Sequence, residues 1–191
     1  MNRRKAISRI VLAGIGGGLA FGGYKWHDWN KTPDIAWLGQ RKQLLAALAA
    51  TIIPVTDTPG ARQCGVDDFI FIMIRDCTDR RSQNKFIDGL KELEAHCRSA
   101  YDKNYKDCSE KEQHDCLALF AKKAKPINAL VGKAENKYLG SPFFTTLKQY
   151  TIQGYCSSET GATMGLAYVA IPGSYQGCIP LQPGQRAWAT K

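Results

Sequence analysis

Between Ala36 and Ile53 the apolar residues Leu38, Leu44, Leu45, Leu48 and Ile52 recur among alanines at offsets of three, four and seven. That is the spacing of one face of an amphipathic helix. Pro54 ends the run, and Val55 to Gln63 (VTDTPGARQ) carries a Thr-Pro-Gly turn signal. Val66 to Cys77 is a short apolar segment whose Asp67 and Asp68 favour the positive end of a helix. Its Phe69–Ile74 stretch fits a buried strand equally well, a choice that periodicity does not make at this length. Phe86, Leu90, Leu93 and Cys97 predict a helix over 82–100. Ser109 followed by Glu112 is a capping box, opening a helix through Leu117, Phe120 and Ala124 that Pro126 closes or kinks. A weaker helical segment covers 127–138. Ser141-Pro142 supplies a capping serine and a proline at the first helical position, leading into Phe143, Phe144, Leu147 and Tyr150, with Gly154 as the stop. Ser158 caps a short stretch through Met164, Leu166 and Tyr168. From Pro172 onwards the chain is irregular, and neither alternating period-2 segments nor an internal repeat is visible. The pattern predicts an all-α fold, a small irregular helical domain with a long non-regular carboxy-terminal tail.

Length and composition fit that picture. The 191 residues, 44% hydrophobic and 23% charged, suit one globular domain. The net charge is +9, but residues 1–29 hold Arg3, Arg4, Lys5, Arg9 and Lys25 against Asp28, so +4 of it belongs to the start of the chain. The mild remainder removes much of the case for nucleic acid, and the Lys122-Lys123-Ala124-Lys125 run reads as a solvated face. After the basic start, the uncharged run from Ile10 to Tyr24 is only 15 residues and is weakened by glycine, short of the roughly 20 apolar residues a spanning helix needs. Residues 1–30 therefore read as a targeting segment and 31–191 as the folded domain. Arg3 and Arg4 resemble the pair of a twin-arginine export signal, although Ala6-Ile7 stands where Phe-Leu is usual. A plain secretory signal or an uncleaved anchor is the alternative. Gly14, Gly16 and Gly18 lie inside this segment with no preceding strand, so they do not make a dinucleotide loop.

Seven cysteines, Cys64, Cys77, Cys97, Cys108, Cys116, Cys156 and Cys178, follow the targeting segment. None is spaced Cys-x-x-Cys, which removes support for a zinc ribbon, a thioredoxin site or covalent haem attachment. Cys97, Cys108, His114 and Cys116 match no familiar metal-ligand spacing. In an exported chain disulfides are the expected use, and an odd count leaves a free thiol or a bridge to another chain. Cys178, in the Gly- and Pro-rich segment 172–180, suits a bridge to a partner, with an internal bridge as the alternative. Catalytic equipment is sparse. His96 and His114 have no neighbours at ligand spacing, Ser157-Ser158-Glu159 lacks a nucleophile elbow, and the body has no phosphate-cradling loop. No catalytic, cofactor or metal residue is assigned. The aromatics from Phe143 to Trp188 serve either as core or, at Tyr155, Tyr175 and Trp188, as a partner-binding surface.

Three segments in order carry a resemblance: Leu45–Ala61 (LAALAATIIPVTDTPGA), Phe143-Phe144 with Gly154–Thr163 (GYCSSETGAT), and Tyr168 with Pro172–Cys178, closed by Arg186-Ala187-Trp188. Together they make residues 36 to 188 resemble the gluconate 2-dehydrogenase subunit 3 family, with a departure at Cys156, where phenylalanine is more usual. The resemblance implies a non-catalytic small subunit of a periplasmic sugar or sugar-acid dehydrogenase. Its large partner, an FAD-dependent GMC-type flavoprotein, oxidises the substrate. A multihaem cytochrome c subunit anchors the complex to the membrane and passes electrons to ubiquinone. The small subunit would help the flavoprotein mature and carry it through twin-arginine export, holding no cofactor itself. A stand-alone periplasmic redox or metal-binding protein built on the cysteines is the competing expectation.

Overall fold

The computed structural model describes residues 31–125 and 140–189, except 172, 175, 176 and 179. Six α-helices carry the described part: α1 (Ile35–Gly39), α2 (Lys42–Ile52), α3 (Val66–Ile72), α4 (Arg80–Tyr101), α5 (Glu110–Lys123) and α6 (Phe143–Ser157). No strand occurs among the described residues, and none of their helices is long and apolar enough to cross a membrane. The expected 127–138 segment lies outside the described residues.

The single helix expected over 36–53 is two. Arg41 leaves helical geometry (φ −107°, ψ 20°), and its guanidinium lies 4.5 Å from the centre of the Trp37 ring and 3.7 Å from Glu94. The break lets Arg41 reach both while α2 buries Leu44, Leu45, Leu48 and Ala49. The ambiguous apolar run is helical. Val66, Ile70 and Ile74 fall at i, i+4 and i+8, and all three are buried as α3 passes into a π turn over Met73–Cys77. Thr78 donates its hydroxyl to the Met73 carbonyl at 2.8 Å at the end of this turn.

α4 is set by Asp79, whose carboxylate accepts the Ser82 N–H at 3.1 Å, and it ends at Asp102 in the left-handed region (φ 53°). Its inner stripe is Phe86, Leu90, Leu93 and Cys97, as the periodicity predicts. A 3-10 turn over Tyr105–Asp107 leads into α5, where the capping box forms. The Ser109 N–H donates to Glu112 Oε2 at 2.7 Å, and the Glu112 N–H donates to Ser109 Oγ at 3.4 Å.

These bonds from Ser109 hold the Glu112 carboxyl below its ordinary range, with the nearby Lys103 ammonium adding to the effect. A carboxylate whose folded pKa is depressed stabilises the fold above its unfolded value of about 4.3, and that contribution is lost as pH falls through the folded value. Glu112→Gln is accordingly expected to lose less stability on acidification than the unaltered chain. Urea midpoints at pH 7 and pH 3 measure this, and an equal drop in both proteins would contradict it.

α6 begins at Phe143, one residue beyond the expected start. The Ser141 N–H donates to Ser82 Oγ at 3.0 Å, anchoring the entry to α4, and Pro142 takes the capping position. Gly154 is not the stop. It lies inside α6 against Phe69, where a Cβ would come 2.8 Å from the ring, so its role is the close approach of α3 and α6. α6 packs against α2, α3, α4 and α5 and is the central element of the core.

Candidate functional site

After α6 the chain turns at Ser158, whose Oγ donates to the Tyr155 carbonyl at 2.8 Å and accepts the Gly161 N–H at 3.0 Å. A π turn over Gly161–Gly165 follows. Beyond it the tail is less irregular than its composition implies. The Ala167 N–H donates to the Ala187 carbonyl and the Ala189 N–H to the Ala167 carbonyl, each at 2.8 Å, forming a parallel bridge between Ala167 and Trp188. Arg186 adds a hydrogen bond to the Met164 carbonyl. The segment is therefore tied at its base to the end of the helical body.

This tied segment concentrates apolar surface. Of the nine large hydrophobic side chains exposed among the described residues, six are Met164, Tyr168, Val169, Ile171, Leu181 and Trp188. Ile171 is 86% and Leu181 85% exposed. Contiguous exposed apolar surface is the general mark of contact sites for other macromolecules. Trp188, expected at a partner surface, is 50% exposed and is held by backbone bonds that leave its indole available. Tyr155 is placed differently. At 7% exposure it belongs to the core, because in the last turn of α6 it continues the buried stripe of Leu147 and Thr151 and Gly165 gives its hydroxyl room, a Cβ there standing 2.1 Å from the oxygen. Tyr155 supports the turn beneath the apolar segment. Tyr175, Arg3 and Arg4 lie outside the described residues. Cys178 is exposed, as are Cys77 and Cys156.

The cysteines set aside as a metal set are brought together in part. Cys97 on α4 and Cys116 on α5 are buried with their sulfurs 3.3 Å apart, and the thiol of Cys108, also buried, interacts with Cys97 and donates to the Asn104 carbonyl at 3.4 Å. His114 points from the exposed side of α5. Among the described residues no group of three or more His, Cys, Asp or Glu is arranged to hold a metal ion. Burial pushes the Cys97 thiol up to about 12, helped by its hydrogen bond with Cys116, and burial raises Cys108 and Cys116 as well. Three protonated, shielded thiols are poor nucleophiles at neutral pH. Tyr105, fully buried beside them, donates its hydroxyl to Thr51 Oγ1 at 2.8 Å and thereby links the α4–α5 turn to α2. Spacing did not reveal this cluster. The available signal was the position of Cys97 on the apolar stripe of α4 and of Cys116 beside Leu117 on that of α5.

The scaffold thus carries an exposed apolar segment on a helical body, and comparison with known families decides its kinship. A family model described as gluconate 2-dehydrogenase subunit 3 matches residues 40–173. The chain belongs to the gluconate 2-dehydrogenase subunit 3 family. That match runs from just before α2 past the second π turn to residue 173, so it covers α2 to α6 and the first part of the apolar segment and stops short of Leu181 and Trp188. No curated protein and no solved structure matches the chain. Membership makes it a subunit of an oxidoreductase complex whose catalytic partner is a dehydrogenase.

Proposed function

We propose that this chain is the non-catalytic small subunit of a periplasmic FAD-dependent gluconate 2-dehydrogenase-type complex. It stabilises the catalytic GMC-type flavoprotein, supports its maturation and accompanies it through twin-arginine export, directed by Arg3 and Arg4. A multihaem cytochrome c completes the complex and ties it to the membrane. FAD and haem c belong to those partners. The observation that carries the reading is the tied segment 164–188, where six exposed apolar side chains gather next to the family-defining body. Interfaces draw most of their affinity from a few aromatic and aliphatic anchors, so Trp188 is the residue whose loss matters most. Cys178, exposed on the same segment, offers a thiol to a partner cysteine.

The test is co-purification of the tagged full chain with the flavoprotein from its own host, with and without reductant. Trp188→Ala is expected to weaken retention of the yellow large subunit at least tenfold, a loss of about 1.4 kcal/mol or more. The thermal midpoint of the variant alone should stay unchanged, since the bonds that flank 188 are made by the backbones of Ala187 and Ala189. Undiminished retention of flavoprotein by the variant would remove this segment as the docking surface, and flavin absorbance in the chain purified alone would overturn the non-catalytic reading.

A further inference from the structure

The buried thiols are left unused by docking and by export. Cys97 sits in the last turns of α4, Cys116 in the second turn of α5, and the chain between them folds back through the Tyr105–Asp107 turn. We propose that Cys97 and Cys116 pair as an intramolecular disulfide that staples α4 to α5 when the chain folds in an oxidising medium, with Cys108 left as an unpaired buried thiol.

The geometry selects this pair. The two sulfurs are 3.3 Å apart in direct contact across the helix interface, and a bond needs about 2.0 Å. Cys108 also lies against Cys97, but it donates its thiol hydrogen to the Asn104 carbonyl of its own turn at 3.4 Å. Cys64, Cys77, Cys156 and Cys178 are half-buried or exposed. The bond would close a loop from 97 to 116, and restricting such a loop in the unfolded chain stabilises the fold.

Burial fixes the order of events. In the folded chain the thiols are protonated and shielded, so exchange is slow once the helices have closed. The bond therefore forms during folding by exchange with a donor disulfide, such as oxidised glutathione or an oxidised dithiol protein. The thiolate of one cysteine attacks a donor sulfur, making a mixed disulfide and releasing one donor thiolate. The thiolate of the second attacks the protein sulfur of that mixed disulfide, making the Cys97–Cys116 bond and releasing the other donor thiolate. Two electrons pass to the donor, and the two protons lost by the cysteines appear on its two thiols.

The pairing depends on the proposed export only for the source of this oxidant, and the experiment separates the two. Full chain, reduced in denaturant, is refolded in a glutathione redox buffer, alkylated, and cut with trypsin without reduction. Cys97, Cys108 and Cys116 fall in three different peptides, 92–98, 107–111 and 112–122, so each pairing has its own product. The expected product joins 92–98 to 112–122, and Cys108→Ala should give it in the same yield. Alkylation of both Cys97 and Cys116 before reduction, a link from either to 107–111, or bound metal with unlinked thiols would overturn the pairing. The same map on chain trapped in intact cells reads the compartment. A bond that forms in glutathione buffer and is missing in cells counts against export and leaves the pairing standing.

Discussion

Phe86→Ala is expected to lower the unfolding free energy by about 4 kcal/mol, the largest effect of any single truncation considered. Phe86 is fully buried on the inner stripe of α4, with its ring centre 5.3 Å from that of Phe143 on α6 at an angle of 55°. The Phe143 ring in turn meets the Phe120 ring of α5 nearly edge-on, at 5.8 Å and 84°. Three helices are therefore joined through one aromatic chain, and removing its first member empties space that α4, α5 and α6 all line. Truncating a buried phenylalanine costs roughly 3–5 kcal/mol through lost transfer energy and the residual cavity, with about 1 kcal/mol from the ring pairing itself. Against a total stability of about 5–15 kcal/mol for a domain, such a loss leaves many chains partly unfolded at 37 °C. Urea unfolding followed by far-UV circular dichroism measures it, and a loss under about 2 kcal/mol would mean that α6 settles into the gap.

Gly89→Ala is the second large effect, and here two contributions have opposite signs. Glycine inside a helix is worse than alanine by about 1 kcal/mol, so propensity alone would make the variant more stable. The position faces α6, however, and a Cβ there would stand 2.4 Å from Phe143 Cβ and 2.5 Å from its Cγ. Those atoms are rooted next to the backbone at the first residue of α6, and the ring beyond them is held between Phe86 and Phe120. The neighbour cannot swing aside, so α6 must move as a body. Overpacking a closed core by one methyl costs roughly 1–3 kcal/mol. With contact this short the upper end applies, and after the propensity gain the net expectation is a loss of about 2 kcal/mol. A variant as stable as the parent would show that the α4–α6 spacing is adjustable.

Phe86, Leu90, Leu93 and Cys97 lie one above another on α4, and Ser109 with Glu112 forms the capping box of α5; both were legible in the sequence because both signals are local and helix geometry alone enforces them. Gly154 departs from its local signal for the complementary reason. A glycine near a helix end is a good stop signal locally, but its function here is set by the Phe69 ring of another helix, 85 positions away in the chain. The break at Gln40–Arg41 likewise depends on Trp37 and Glu94 receiving the Arg41 side chain. In the apolar segment, composition announces an irregular, aromatic-rich stretch and points to Trp188. It did not announce the bridge from Ala167, which involves only backbone groups and leaves no side-chain signature. Spacing alone does not tell which side of α6 meets the body, so the burial of Tyr155 is not legible in it.

The bridge between Ala167 and Trp188 has a thermodynamic meaning for the docking proposed above. A segment fixed at one end only must give up the freedom of all its residues on binding, whereas one closed into a ring by its own base has surrendered part of that freedom already. The hydrogen bonds of Ala187 and Ala189 thus act as the clasp of a noose whose perimeter carries the apolar side chains. The two bonds that close the ring are made by the backbones of Ala167, Ala187 and Ala189, none of which supplies an exposed large apolar side chain, so closure and apolar surface are carried by different residues.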